Sequence, residues 1–294
     1  MLSLKTILVP VDFSERSTHA AEHAVVLSNR FQSKVVLAHV IPPAPFEYAA
    51  FDGGAYTGAA LHSEQEIQAA TEQRLCALAE KVRGEQPIET RVLIGDPAKE
   101  IERLAEELHT DLLVMPTHGY GPFRRFILGS MTTKVLHDVS CPVFTGAHIP
   151  EVTPFNPEPY KRIACAVDLG PHSEAVLRWA WEFACAHEED LTVIHAAPLL
   201  EVGGAYGDMF PADTRKALLD AARSGVNDLI KRVGCRAQVH VECADPASYV
   251  RDVADKSYVD VLVIGRSPNL GLLGRLRTHA YAIIREAPCP VISV

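Results

Sequence analysis

The sequence predicts an α/β protein of two doubly wound domains. Each is expected to be a five-stranded parallel sheet in the order 3-2-1-4-5, with helices on both faces. Three observations predict it: the chain repeats itself, short apolar runs alternate with longer helical segments, and most of the runs are apolar throughout rather than at every second residue. Continuously apolar strands are buried on both faces, as in a parallel sheet covered by helices. Right-handed crossovers then give the doubly wound arrangement. Such sheets bind ligands at the carboxyl ends of their strands, where the strand order reverses.

The repeat is legible in four landmarks. LKTILVPVDFSE from Leu4 matches YKRIACAVDLGP from Tyr160, setting Asp12 against Asp168. VVLAHVIPP matches LTVIHAAPL, setting His39 against His195 at the same offset. GDPAKEIERLAEELHTDLLVM matches ADPASYVRDVADKSYVDVLVI, and SCPVFT matches PCPVIS. These set Asp96-Pro97 against Asp245-Pro246 and Cys141 against Cys289. Landmarks in one order, with short length changes between them, mean two copies of one unit. The first domain is expected over 1–147 and the second over 161–294. Between them HIPEVTPFNPEPY, 148–160, contains Pro150, Pro154, Pro157 and Pro159. That density makes a stiff, extended linker.

In the first copy KTILVPV reads as a strand, and Ser17 to Asn29 as a helix. KVVLAHV is the second strand, followed by a glycine-bearing segment and a helix from about Ser63 to Val82. IETRVLI is the third strand, and Pro97 to Leu108 a helix with proline in its first turn, where the missing N–H costs nothing. DLLVM, a helix from Ser130 to Asp138, and PVFT complete the unit.

At 294 residues, with 48% apolar and 22% charged residues, the chain is long enough for two packed cores. A formal charge of −9 argues against nucleic-acid or anionic-membrane binding. No apolar run approaches the roughly 20 residues of a membrane span. The first run is broken by Pro10 and Asp12, so it reads as a strand rather than a signal peptide, and the expected location is the cytoplasm. Seven cysteines, an odd count without a C-x-x-C pair and mostly inside apolar strands or helices, read as buried reduced thiols.

Two features point to a site. Asp12 stands at the carboxyl end of the first strand, where a carboxylate either accepts ribose hydroxyls or caps the following helix. Met115 to Ser130, MPTHGYGPFRRFILGS, leaves the fourth strand at the same edge. Glycines at 119 and 121 would let backbone N–H groups approach an anion, and Gly129-Ser130 would open a helix whose free N–H groups favour phosphate.

On these residues the chain resembles the universal stress protein family in its tandem form, nearly end to end. Nucleotide-binding members carry G-x2-G-x9-G-[S/T] after such a strand. Here Pro116 takes the first glycine position, Gly119 the second, Gly129 the third and Ser130 the hydroxyl, with the nine-residue spacing intact. The resemblance implies that Asp12 contacts the nucleotide, that Val40 lies near the base, and that Thr117 and His118 form the polar pair between the first two positions. It also implies that Met131 adds a backbone N–H to the phosphates. The expected ligand is ATP, ADP or AMP, with magnesium accompanying the phosphates. The expected role is a nucleotide-responsive regulator in a stress response. The alternatives are a slow ATPase or phosphotransferase, and an interaction module without a ligand. Pairing of PVFT with PVIS inside the chain, and of chains into a homo-oligomer, follow from the same resemblance.

Pro116 departs from the pattern by removing a backbone N–H. The second copy departs further. It keeps Gly265, but Pro268 replaces the second glycine and Thr278-His279 replace the closing Gly-Ser. It is expected to have lost tight nucleotide binding and to act structurally. His19 to His23 spells H-x-x-E-H, a zinc pattern on a helix, but solvated helix histidines are the expectation. Phe123 to Phe126, FRRF, is too short for a nucleic-acid patch. The segments 44–62 and 203–210 read as long loops.

Overall fold

The computed structural model describes residues 2–43, 64–117, 128–146, 160–197, 212–266 and 278–294. The first repeat runs β1 (Thr6–Pro10), α1 (Glu15–Phe31), β2 (Lys34–Ile41), α2 (Glu64–Lys81), β3 (Ile88–Ile94), α3 (Pro97–Glu107), β4 (Leu112–Val114), α4 (Ser130–Asp138) and β5 (Val143–Thr145). The second runs β6 (Ile163–Ala166), α5 (Ser173–His187), β7 (Leu191–Ala197), α6 (Ala212–Val233), β8 (Ala237–Cys243), α7 (Pro246–Lys256), β9 (Val261–Ile264), α8 (Thr278–Glu286) and β10 (Val291–Ser293). The linker up to residue 159, the segments 44–62 and 203–210, and FRRF lie outside the described residues.

Among the described residues ten strands form one sheet in the order β3-β2-β1-β4-β5-β10-β9-β6-β7-β8. Within each repeat the order is 3-2-1-4-5 and the pairs are parallel. The repeats meet through β5 and β10, which run antiparallel with Phe144 opposite Ile292. The two repeats therefore point in opposite directions. The carboxyl ends of β1 and β4 lie at one end of the sheet, and those of β6 and β9 at the other.

Strand alternation divides the core into two layers. Ile7, Val9, Val35 and Leu37 face α1 and α2, in a layer that continues across the junction to α5 and α6. Leu8, Val36, Ala38 and Val40 face the layer of α3, α4, α7 and α8. Burial of both faces explains why these strands read as unbroken apolar runs.

The helix ends are written locally. Ser14 caps α1 by accepting the Ser17 N–H at 3.2 Å, so the helix begins at Glu15, ahead of the expected Ser17. Asp96 and Asp245 cap α3 and α7 in the same way, accepting from Lys99 and Ser248, with Pro97 and Pro246 in the first turns. The duplication extends to unusual backbone. Phe13, Gln32 and His109 have positive φ, and so do their counterparts Leu169, Glu188 and Tyr258.

One expectation needs correction. His23 is not solvated: it is 1% exposed, and its Nδ1 lies 2.5 Å from the Tyr160 hydroxyl. Its face of α1 turns toward the junction, where Tyr160, Phe144 and Phe183 pack around it. The sequence pattern gave no view of this, because Tyr160 comes from the far end of the linker. Among the described residues no cluster of three or more metal-binding side chains occurs.

Candidate functional site

Asp12 lies one residue beyond Val11, whose N–H still bonds Ala38 of β2 at 2.8 Å. Its Oδ1 accepts the Ser14 N–H at 2.9 Å, which fixes the turn into α1. Capping of the helix itself belongs to Ser14. The second carboxylate oxygen of Asp12 meets no donor among the described residues. Between them Phe13 sits at φ 63°, a conformation that favours glycine and costs a side-chain-bearing residue of order 1 kcal/mol. Packing holds it there. The Phe13 ring lies 4.6 Å from that of His39 and 4.1 Å from the Arg74 guanidinium carbon. His39 Nδ1 is 2.7 Å from the Val11 carbonyl, so Nδ1 carries the proton and donates.

β4 ends beside β1, its neighbour in the sheet. Met115 and Thr117 donate their N–H groups to Phe144 and Gly146, on the β5 side. Strand alternation therefore turns position 116 toward β1, where Pro116 has no N–H to offer. The Pro116 carbonyl accepts the Thr132 hydroxyl at 3.2 Å, and the Thr117 carbonyl accepts the Gly129 N–H at 2.9 Å. These two bonds clamp the first turn of α4 against the end of β4. Gly129 precedes the helix with no side-chain cap, and the first intrahelical bond runs from Thr133 to Gly129. The N–H groups of Ser130, Met131 and Thr132 are thus left without an intrahelical partner. Ser130 is exposed and Met131 half-buried, while Val40 is buried at the end of β2. Asp12, Val40, Pro116, Thr117, Gly129, Ser130 and Met131 gather at the carboxyl ends of three adjacent strands. His118 and Gly119 lie outside the described residues.

The second repeat builds a cavity of about 170 Å³ at the matching place. Asp168 lines it, with Oδ1 accepting from the Gly170 N–H and the Ser173 hydroxyl, both at 2.8 Å. His195 repeats the role of His39, its Nδ1 2.8 Å from the Val167 carbonyl. Gly265 stands where Pro116 does, and Arg266 where Thr117 does; the Arg266 N–H donates to the carbonyl of Val294, one residue beyond β10. The Arg266 side chain is 7% exposed. It crosses the junction and donates to the carbonyls of Leu136 at 2.9 Å, Val139 at 3.3 Å and Cys141, at the C-terminal end of α4. A cation there answers both the unsatisfied carbonyls and the negative end of the helix dipole. Nearby, the Ser248 N–H, seconded by the Ser248 hydroxyl, holds the Asp245 carboxyl below the usual range.

Comparison with known proteins fits this duplicated architecture. The sequence profile of the universal stress protein family matches residues 3–145 and again residues 159–294. The chain belongs to the universal stress protein family. A universal stress protein of Methanocaldococcus jannaschii is 32% identical over 139 residues, covering 47% of this chain and 79% of that protein. A universal stress protein A homolog of Coxiella burnetii is 28% identical over 138 residues, or 46% of this chain and 96% of that one. The tandem fold is shared with a universal stress protein from Archaeoglobus fulgidus, at TM-score 0.67 and 18% identity, covering 99% of this chain and 96% of the other. A Pseudomonas aeruginosa protein of unknown function has TM-score 0.69 and 18% identity, covering 99% and 92%.

In this tandem universal stress protein, Thr132, Phe13, Ser173 and Arg266 escape sequence reasoning. Thr132 and Ser173 sit one turn from the glycine and aspartate motifs, within reach of a spacing argument. Arg266 carries no such signal. A lone arginine after a buried strand does not disclose which carbonyls it reaches.

Proposed function

We propose that the first repeat binds ATP or another adenine nucleotide, and that the protein is a nucleotide-responsive regulator of a cytoplasmic stress response. The ligand belongs to the domain spanning 1–147, with 148–160 as linker and 161–294 as the partner domain. The observation that carries this is the uncapped N-terminus of α4, clamped to the end of β4 beside Asp12. Three N–H groups and the positive end of the helix dipole converge there, which suits phosphate oxygens. Asp12 has an oxygen available to ribose hydroxyls, and magnesium would accompany the phosphates. Pro116 removes the donor that β4 would have turned toward β1, so phosphate contact falls to α4 and the hydroxyl of Ser130.

The test is calorimetric titration of the full chain with ATP, alongside mass spectrometry of nucleotide carried through purification. Ser130→Pro is the informative variant. Proline is tolerated in the first turn of a helix, yet it deletes one N–H and the hydroxyl together. We expect ATP affinity to fall about tenfold or more, as for loss of one or two charged hydrogen bonds, with the melting temperature held. Absence of both heat and co-purified nucleotide in the wild type would end this reading. Sustained ATP turnover lost in Ser130→Pro would make the protein an enzyme instead.

A further inference from the structure

The second repeat carries two cysteines where the first has asparagine and glycine. Cys185 lies in the last turn of α5 and is exposed. Cys235 follows α6 after Gly234 and is 8% exposed. We propose that these two thiols are a peroxide-responsive pair, closing a reversible disulfide between the ends of α5 and α6. This goes beyond the nucleotide reading of the first repeat and does not rest on it.

The duplication supplies the geometry. Cys185 matches Asn29 at the offset that sets Asp12 against Asp168 and Gln32 against Glu188. The buried stripe Leu75, Leu78 and Val82 along α2 matches Val226, Leu229 and Val233 along α6, a register that sets Gly84 against Cys235. In the first repeat these two places touch. The Asn29 Oδ1 accepts the Glu85 N–H at 3.1 Å, and a Cβ on Gly84 would stand 2.9 Å from that same oxygen. The β-carbons of a disulfide stand about 3.8 Å apart, so a thiol in place of the amide and a side chain in place of glycine come within reach of a bond. Both ends are fixed. The Glu188 N–H holds the Cys185 carbonyl at 3.1 Å, and the Cys235 N–H donates to the Ile230 carbonyl at 3.3 Å. β8 follows its helix more closely than β3 does, and Gly234, at φ 73°, makes the shorter turn.

Exposure decides the roles. Cys185 meets a dissolved peroxide first. Its thiolate attacks the O–O bond of hydrogen peroxide and keeps one oxygen as a sulfenic acid, while the other takes a proton and leaves as water. The Cys235 sulfur then attacks the Cys185 sulfur. The S–S bond forms as the S–O bond breaks, and the second oxygen leaves as water with the Cys235 proton. The two thiols give up one electron pair between them, and one peroxide is reduced to water. Burial pushes the Cys235 thiol up, and the charge of a Cys185 thiolate pushes it further, so the two sulfurs lie within electrostatic reach. Burial keeps Cys235 from reacting alone, and oxidation of Cys185 withdraws the opposing charge. Cys165 is fully buried in β6 with its thiol pushed up by burial, which leaves it a spectator.

The test is peptide mapping by mass spectrometry of the full chain after hydrogen peroxide, with and without dithiothreitol. We expect a cross-linked pair of peptides carrying Cys185 and Cys235, lighter by two hydrogens and returned to free thiols by dithiothreitol. In Cys185→Ser, loss of the free Cys235 thiol should slow about tenfold or more, because the buried thiol has lost its point of entry. Cys76→Ser removes the other exposed thiol and should leave the cross-link unchanged. Cys235→Ala should leave Cys185 as a sulfenic acid that dimedone traps. Three outcomes would each overturn the proposal: Cys185 running on to the sulfinic acid in the wild type with Cys235 still free, Cys185 linking only to a second chain, or Cys235 disappearing as fast in Cys185→Ser as in the wild type.

Discussion

Arg266→Met asks how much one buried guanidinium holds the two repeats together. Methionine keeps most of the apolar stem and deletes only the donors. The carbonyls of Leu136, Val139 and Cys141 then lose the cation they share, at the end of α4 where no further turn supplies N–H groups. A hydrogen bond to a charged group contributes about 1.5–3 kcal/mol, and a cation at a partly buried helix C-terminus up to about 2. Against this, removing a buried charge relieves its desolvation, so the sum is not additive. A net loss of about 3 kcal/mol is expected. Unfolding entropy of about 2.1 cal/mol/K per residue gives roughly 0.6 kcal/mol/K across all 294 residues. The melting temperature should therefore fall by about 5 °C if the repeats unfold together, and by about 10 °C if one repeat melts alone. Calorimetry of the full chain measures both the shift and the cooperative unit, and hydrogen exchange should show the last turn of α4 opening first. Arg162→Met is the control. Its bidentate pair with Asp260 is half exposed and should cost under about 1 kcal/mol. A shift below about 1 °C for Arg266→Met, or one no larger than for Arg162→Met, would refute the claim that these bonds bind the junction.

Two further outcomes follow from buried and capping groups. Of the cysteines, Cys76 and Cys185 are exposed and should react first with a thiol reagent in the native state. Cys165 and Cys289 should react only after unfolding, because burial pushes both thiols up, Cys289 to about 12; early modification of either would contradict the packing. In acid, Asp245 should register. Its carboxyl is depressed in the folded state, so its stabilisation is present above the unfolded value of 3.8 and is lost as pH falls through the lower folded value. The wild type should exceed Asp245→Asn by a few tenths of a kcal/mol near neutrality, after solvent screening, and by nothing near pH 2 in urea titrations. A gap that persists at pH 2 would assign the effect to something other than charge.

The parts legible in the sequence were those encoded locally or twice. Asp96-Pro97 and Asp245-Pro246 mark two helix starts because a short acceptor and a proline suit a first turn wherever it lies. The inner strands were legible because burial on both faces leaves no alternation to misread, whereas the edge strands β3 and β8 are half-exposed. The Asp12 turn was legible only by half. Nothing in D-F-S shows that the carboxylate holds Ser14, or that Phe13 would accept a conformation suited to glycine. His23 was misjudged for a third reason: its partner, Tyr160, is distant in sequence and its face of α1 is buried only because a second repeat exists. An amphipathic helix read by itself shows which positions are polar, not which of them another domain will cover.

The two repeats also differ in a way that their alignment states but does not interpret. Proline and threonine end β4; glycine and arginine end β9. The first pair gives up a backbone donor and accepts the Thr132 hydroxyl from the first turn of α4, whose N-terminus has no side-chain cap. The second pair keeps the donor, and its arginine crosses to the C-terminus of the same helix. One helix is thus held at its two ends by equivalent positions of the two repeats, and the helix is only nine residues long. The second copy thus holds the C-terminal end of a helix of the first copy. A change that moves Arg266 acts on the C-terminal end of α4, the helix whose N-terminus the proposed nucleotide would meet. If the two ends of α4 are coupled, Arg266→Met should change the ATP affinity of the first repeat, measured calorimetrically at a temperature where both proteins are folded; an unchanged affinity would refute the coupling.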